Sequence, residues 1–121
     1  MLKISHNQRK VIWGIMVLVV LVLSLLPQDQ TVIQVPFTDK VDHFITYLFL
    51  TFIALISSTQ KHSVLMILAL QILIGVCVEF AQSFTPDRTP ELLDVLANSL
   101  GVLVGALVYF LFRKIKSITQ N

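Results

Sequence analysis

Four long apolar stretches, separated by short polar segments, most constrain what this 121-residue chain can fold into. They cover about 11–26, 39–57, 64–84 and 90–112. A helix needs about 20 mostly apolar residues to cross a hydrocarbon core, so each stretch suffices, the shorter first one with help from its flanks. Charged residues make up only 13% of the chain, against about 25% in soluble domains. We therefore predict an all-α polytopic membrane protein, a four-transmembrane-helix bundle in which residues 1–121 form a single domain.

The first stretch also has features of a secretory signal peptide. Basic residues precede it, and the apolar run that follows has a suitable length. The residues after Leu26, however, are PQDQ, and they include no small-x-small cleavage site. We therefore interpret this stretch as an uncleaved first span.

The distribution of charge predicts how the spans are oriented. With the N-terminus in the cytoplasm, the inward-facing segments carry seven of the nine basic residues: Lys3, Arg9, Lys10, Lys61, Arg113, Lys114 and Lys116. Cytoplasmic loops of membrane proteins are enriched in Lys and Arg. The acids all fall on the outer side or in the outer part of a span, namely Asp29, Asp39, Asp42, Glu79, Asp87, Glu91 and Asp94. We expect a multi-pass protein of the cell (plasma or inner) membrane with both termini in the cytoplasm.

Polar side chains of three spans are predicted to lie at one depth. They come first in the second and fourth spans, which enter from outside, and last in the third, which leaves there. They are Asp39, Asp42, His43 and Thr46, then Glu79 and Gln82, then Asp94 and Asn98. Turning an acid toward lipid near mid-membrane costs about 2.5–3.5 kcal/mol. A shared polar pocket near the outer surface is therefore the cheaper arrangement.

Two cations on the outer side, Lys40 and Arg88, raise the question of an anionic ligand. Thr38 and Thr89 are predicted N-caps of the second and fourth helices, with Pro90 as the first residue of the fourth. Two positive helix ends would then face the pocket and could help to hold a phosphate. The acids would repel that phosphate unless they are paired, protonated or bridged by a cation. The alternative, which we favour, is that Arg88 pairs with a nearby acid: Asp87, Glu91 or Asp94.

Three blocks of residues resemble the VanZ-like family of small membrane proteins. The blocks are Asp39-Lys40 with His43 and Tyr47, then Glu79-x-x-Gln82, then Arg88 with Asp94, Asn98, Gly101 and Gly105. In order, they extend over most of the chain beyond the first span. The resemblance implies a multi-span protein of bacterial type. It also implies a link to tolerance of teicoplanin-like glycopeptide antibiotics, with which members of this family are associated.

The residues predicted to bind a ligand are Asp39, Lys40, His43, Glu79, Gln82, Arg88, Asp94 and Asn98. Our first hypothesis is a binding module for a membrane-lipid head group or a lipid-linked envelope precursor, which would alter glycopeptide susceptibility. The second is a membrane-embedded enzyme acting on a lipid or wall precursor, with Glu79 or His43 as acid or base and Arg88 as anion clamp. The third is a small transporter or assembly factor that forms a homo-oligomer through the small residues Ala97, Gly101 and Gly105.

The same polar residues also fit a structural role, a network between helices that fixes their register. We favour this network over a ligand or catalytic site, and we leave open whether the protein is an enzyme, leaning against it. His43 and the acids could bind a divalent cation, which is the least favoured alternative. Their spacing matches no known metal motif, so no metal and no cofactor is predicted. The basic C-terminal segment is typical of membrane-surface charge, and no nucleic-acid partner is expected.

Overall fold

The computed structural model describes residues 4–27, 37–58, 63–86 and 88–120. Within these ranges the chain forms four α-helices: α1 (His6–Leu25), α2 (Thr38–Ser57), α3 (Val64–Gln82) and α4 (Leu92–Thr119). Each is long and apolar enough to cross a membrane. The prediction of an all-α, four-helix membrane bundle is therefore confirmed. Lys3, Asp29, Lys61 and Asp87, on which part of the charge argument rests, lie outside the described residues.

Side-chain caps set the beginnings of α1 and α3. The Ser5 hydroxyl accepts from the Gln8 amide at 3.2 Å, while the Gln8 side chain accepts from the Ser5 amide at 2.7 Å. This reciprocal pair is a capping box, and it starts α1 five residues before the apolar run begins. At α3, Ser63 Oγ accepts from the backbone amide of Met66 at 3.1 Å. Both helices thus begin where backbone amides find a side-chain acceptor.

The predicted starts of α2 and α4 were wrong by one and two residues. Phe37, not Thr38, is the N-cap of α2, with φ 66° and no side-chain hydrogen bond. At α4, Thr89 and Pro90 precede the helix, and Glu91 is the N-cap. The Glu91 carboxylate accepts from Lys40 of α2 at 2.6 Å. Because this contact joins two helices, local capping preferences did not reveal it.

Close backbone approach holds α2 against α4, the most extensive contact in the bundle. A Cβ added at Gly101 would overlap the carbonyl oxygen of Phe44, and one at Gly105 would lie 2.5 Å from that of Leu48. The two glycines therefore serve as contact points within the chain, where only a residue without a side chain fits. Both glycines are already buried against α2. Self-association through Ala97, Gly101 and Gly105 stays a prediction.

The interior of the bundle combines polar and apolar side chains, and its outer surface is mainly apolar. The buried polar residues are Thr51, Ser57, Gln71, Glu79, Gln82, Asp94 and Asn98. Large apolar side chains point outward along every helix, and α1 buries none of its residues. This arrangement suits a hydrocarbon surrounding, in which exposed leucines carry no free-energy penalty and polar groups need hydrogen-bond partners. Four of the buried polar residues lie near the end where α1 and α3 finish and α2 and α4 begin, which we call the polar end: Glu79, Gln82, Asp94 and Asn98.

Candidate functional site

Lys40 lies at the centre of an ion-pair cluster at the polar end. Its ammonium donates to Asp39 Oδ2 at 2.5 Å and to Glu91 Oε2 at 2.6 Å. It also lies 2.7 Å from Oδ1 of Asp94, whose side chain is 9% exposed. Three carboxylates thus share one cation that is itself largely buried. The favoured pairing of Arg88 with a nearby acid was therefore wrong for Glu91 and Asp94, which pair with Lys40 instead. The third predicted partner, Asp87, lies outside the described residues.

His43 lies one turn after Lys40 on the same face of α2 and joins α2 to α4. Its Nδ1 lies 2.9 Å from Oδ1 of Asn98. With the amide oxygen of Asn98 as the acceptor, Nδ1 is the donor of this hydrogen bond. The other ring nitrogen, Nε2, lies 3.9 Å from Oδ2 of Asp94.

Glu79 is the most isolated acid of the site. Its residue is only 4% exposed. The ring of His43 lies beside it, with Nδ1 3.8 Å from Glu79 Oε1. Neither carboxylate oxygen of Glu79 has a hydrogen-bond partner among the described residues. A buried carboxyl with so few partners is costly, so a cation or a proton at this position would stabilise it.

Gln82 and Arg88 do not join the network of Lys40 and His43. The Gln82 side-chain amide donates to the carbonyl oxygen of Ser24 at 2.9 Å. The Arg88 Nε donates to the carbonyl oxygen of Leu26 at 3.3 Å. Both residues therefore anchor the end of α1. Sequence reasoning missed α1 as a wall of the site, because backbone carbonyls leave no signal in the pattern of residues.

A cavity of about 340 Å³ opens at the polar end between α1 and α2. Its described lining residues are Val20, Leu23, Ser24, Asp39, Asp42, His43, Thr46, Tyr47, Gln82 and Arg88. Glu79, Asp94 and Asn98 are not among these lining residues. Each of them lies close to His43, which does line the cavity. The cavity is thus lined by a guanidinium together with carboxylates and an imidazole.

The structure therefore divides the eight predicted site residues into two groups. Six meet in one network: Asp39, Lys40, His43, Glu79, Asp94 and Asn98. The other two, Gln82 and Arg88, line the cavity from the side of α1. The arrangement can hold charged groups of both signs, and whether these residues bind a ligand stays a prediction.

Comparison with known proteins identifies relatives of this chain. The model of the VanZ/LLP1 family matches residues 4–113. An uncharacterized protein of Schizosaccharomyces pombe is 33% identical over 100 residues, which is 80% of this chain and 62% of that protein. The chain thus spans less than two thirds of the length of this curated relative. No solved structure matches.

Proposed function

This chain belongs to the VanZ/LLP1 family, and on that premise we propose that it binds a phosphate-bearing lipid head group in the cavity at its polar end. The protein would span the cell membrane with both termini in the cytoplasm, so that the cavity meets the outer leaflet. A lipid-linked envelope precursor with the same phosphate chemistry is the related ligand. Holding either one there would alter susceptibility to teicoplanin-like glycopeptides, as the family resemblance implies.

The observation that carries this proposal is the set of contacts made by the Arg88 side chain. Its guanidinium lines the cavity, and its one hydrogen bond within the described residues runs from Nε to Leu26. No carboxylate of the described chain pairs with it; the adjacent Asp87 is not described. Guanidinium presents a planar fork of donors that matches two phosphate oxygens at once. A cavity-lining arginine without an ion-pair partner in that part of the chain supports a phosphate ligand.

Repulsion by the acids is weaker than their number suggests. Lys40 forms ion pairs with Asp39, Glu91 and Asp94. Its positive charge partly compensates these three carboxylates without any contribution from Arg88. Asp39 and the exposed Asp42 line the cavity from α2, whereas Arg88 lines it from the segment after α3. A head group carrying both phosphate and amine, such as phosphoethanolamine, complements this division. Its phosphate would contact Arg88 and its ammonium the acids.

The residues that line the cavity favour a binding function over a catalytic one. Glu79, one of the two candidate acid/base residues, is not among its lining residues. His43 does line it, but its Nδ1 is occupied by Asn98 and its Nε2 faces Asp94. Of these two candidates, only His43 therefore reaches the cavity, and its ring nitrogens already lie close to Asn98 and Asp94.

The proposal is tested by the lipids that the purified protein retains. The protein is extracted in mild detergent, exchanged into nanodiscs of phosphatidylethanolamine and phosphatidylcholine, and released for native mass spectrometry. We expect Arg88→Gln to retain about 10- to 100-fold less phosphatidylethanolamine, because hydrogen bonds to a charged group are worth about 1.5–3 kcal/mol. The matched control is Arg113→Gln, an exposed arginine at the far end of α4. Equal retention by Arg88→Gln and wild type would refute the proposal.

Comparing lipids within the same experiment separates phosphate from amine recognition. Phosphatidylglycerol keeps the phosphate but has no amine, and diacylglycerol has neither. We expect retention to fall in the order phosphatidylethanolamine, phosphatidylglycerol, diacylglycerol. Asp42→Asn should remove the preference between the first two. Teicoplanin susceptibility of cells producing wild type or Arg88→Gln then tests whether lipid binding carries the resistance effect.

A further inference from the structure

The geometry points to a second site, a divalent transition-metal ion held by His43, Glu79 and Asp94 next to the cavity. This site does not depend on the proposed lipid function, because the ion by itself is the ligand. Its three residues come from three different helices, α2, α3 and α4. The order of the spans predicts that they share one depth, and the fold brings their side chains within reach of one ion.

The ligand atoms lie close enough for one ion. One ring nitrogen of His43 and one carboxylate oxygen each from Glu79 and Asp94 all lie within 4.8 Å of one another. Metal bonds of about 2.0–2.2 Å place ligand atoms about 3–4 Å apart, so the side chains need to close by about 1 Å. Glu79 is 4% exposed and Asp94 7% exposed, while His43 lines the cavity and offers a route for the ion.

Carboxylate oxygens of Glu79 and Asp94 lie next to the ring of His43 at this point. The two ring nitrogens of His43 lie close to both acids, with Nδ1 3.8 Å from Glu79 Oε1 and Nε2 3.9 Å from Asp94 Oδ2. With Nδ1 donating to Asn98 Oδ1, Nε2 would be the nitrogen that binds the ion. Both oxygens of Glu79 lack a hydrogen-bond partner among the described residues. Imidazole that donates one N–H to a neighbouring oxygen and turns its other nitrogen inward is the usual arrangement of a metal-binding histidine. Asn98 would therefore be a positioning residue for the ligand His43.

The charge of the polar end calls for a further cation. Its described residues carry five acids and two cations, a net charge of −3 with His43 neutral: Asp39, Asp42, Glu79, Glu91 and Asp94 against Lys40 and Arg88. The neighbouring acidic set already contains a cation, the Lys40 ammonium between Asp39, Glu91 and Asp94. Lys40 occupies Oδ1 of Asp94 and leaves Oδ2 directed at His43. A divalent ion would compensate most of the remaining charge where water is scarce.

The chemistry of the ligands selects the class of ion. One imidazole nitrogen and two carboxylates suit Zn²⁺ or Mn²⁺. Mg²⁺ and Ca²⁺ prefer shells made of oxygen only, with six or more ligands. We therefore expect Zn²⁺ and Mn²⁺ to bind well ahead of Mg²⁺.

The test measures binding of the metal alone to the full chain. Protein treated with a chelator is titrated with Mn²⁺ and Zn²⁺ by calorimetry at neutral pH, with Mg²⁺ for comparison. We expect one ion per chain, at least tenfold weaker binding in His43→Gln and Glu79→Gln, and a loss of about 10- to 100-fold in Asn98→Ala. The matched control is His6→Gln, which changes a histidine of α1 far from the cluster and should leave affinity unchanged.

A second measurement does not depend on how well the variants fold. Wild-type protein with ¹⁵N-labelled histidine is loaded with Mn²⁺ and studied by pulsed electron paramagnetic resonance. We expect hyperfine coupling to one histidine nitrogen. Absence of stoichiometric binding by wild type would mean that protons alone compensate Glu79 and His43, and it would overturn the proposal. Bound Mn²⁺ without histidine coupling, or with unchanged affinity in Glu79→Gln, would also overturn it. Metal binding should persist in Arg88→Gln, so failure of the lipid proposal is recognised separately.

Discussion

Replacing Lys40 with methionine tests whether this one ammonium holds the polar end together. Methionine keeps the length of the side chain and removes its charge. The change leaves Asp39, Glu91 and Asp94 without the cation that lies 2.5–2.7 Å from each of them. The measurement is made in chelator, so that no metal ion takes the place of the ammonium.

The three ion pairs differ in burial, and that difference decides the expected magnitude. The side chains of Asp39 and Glu91 are 43% and 47% exposed, so each pair is worth about 0–1 kcal/mol. The Asp94 side chain is 9% exposed. Removing one partner of a buried pair costs about 3–5 kcal/mol, since the other charge stays buried. We therefore expect Lys40→Met to lower the free energy of unfolding by about 3–5 kcal/mol, most of it through Asp94.

The single tryptophan, Trp13 of α1, reports unfolding by its fluorescence when the protein is titrated with sodium dodecyl sulfate in mixed micelles. Adding Asp94→Asn to Lys40→Met removes the stranded charge and should recover about 2–3 kcal/mol. Adding Asp39→Asn instead should recover less than about 1 kcal/mol. The control Lys114→Met lies on the exposed part of α4 and should change stability by at most about 0.5 kcal/mol. A loss under 1 kcal/mol in Lys40→Met, or equal rescue by the two second changes, would show the reasoning to be wrong.

Two further predictions concern packing and orientation. Gly105→Leu should separate α2 from α4 and cost several kcal/mol in the same titration, because a Cβ there would already lie 2.5 Å from a backbone oxygen. Gly14→Leu is its control and should be near neutral, since nothing lies within 4 Å of a Cβ at that position. In a chain lacking its native cysteine, Thr89→Cys should react with a membrane-impermeant thiol reagent added outside intact cells, and Ser117→Cys only after lysis. Labelling of Ser117→Cys in intact cells would contradict the expected topology.

The spans were predictable because hydrophobic length is a property of contiguous sequence. The bounds of α2 agree with the predicted span to within one residue. α4 runs seven residues beyond the predicted 112, because its basic C-terminal residues continue the helix. The starts of α2 and α4 were less predictable, since Phe37 caps one without a side-chain bond and Glu91 is held by Lys40.

The content of the site was predictable in part. Because successive spans cross the membrane in opposite directions, the sequence was enough to place acids of α2, α3 and α4 near one another. The contacts of His43 with Glu79 and Asp94 agree with that placement. The pairing of charges was not predictable. Lys40 and Arg88 were equivalent as cations in the sequence, yet one is surrounded by acids and the other turns to α1.

The sequence by itself determined that the chain forms apolar helices with acids toward one end, because hydrophobic length and the order of charges do not depend on how helices meet. Tertiary structure alone decided which of those charges touch. Each residue turns a helical side chain by about 100°, so partners depend on the rotation and depth at which neighbouring helices pack. Here Gly101 and Gly105 set that depth by admitting the backbone of α2. Their contact brings Lys40 and His43 to Asp94 and leaves Arg88 to the cavity.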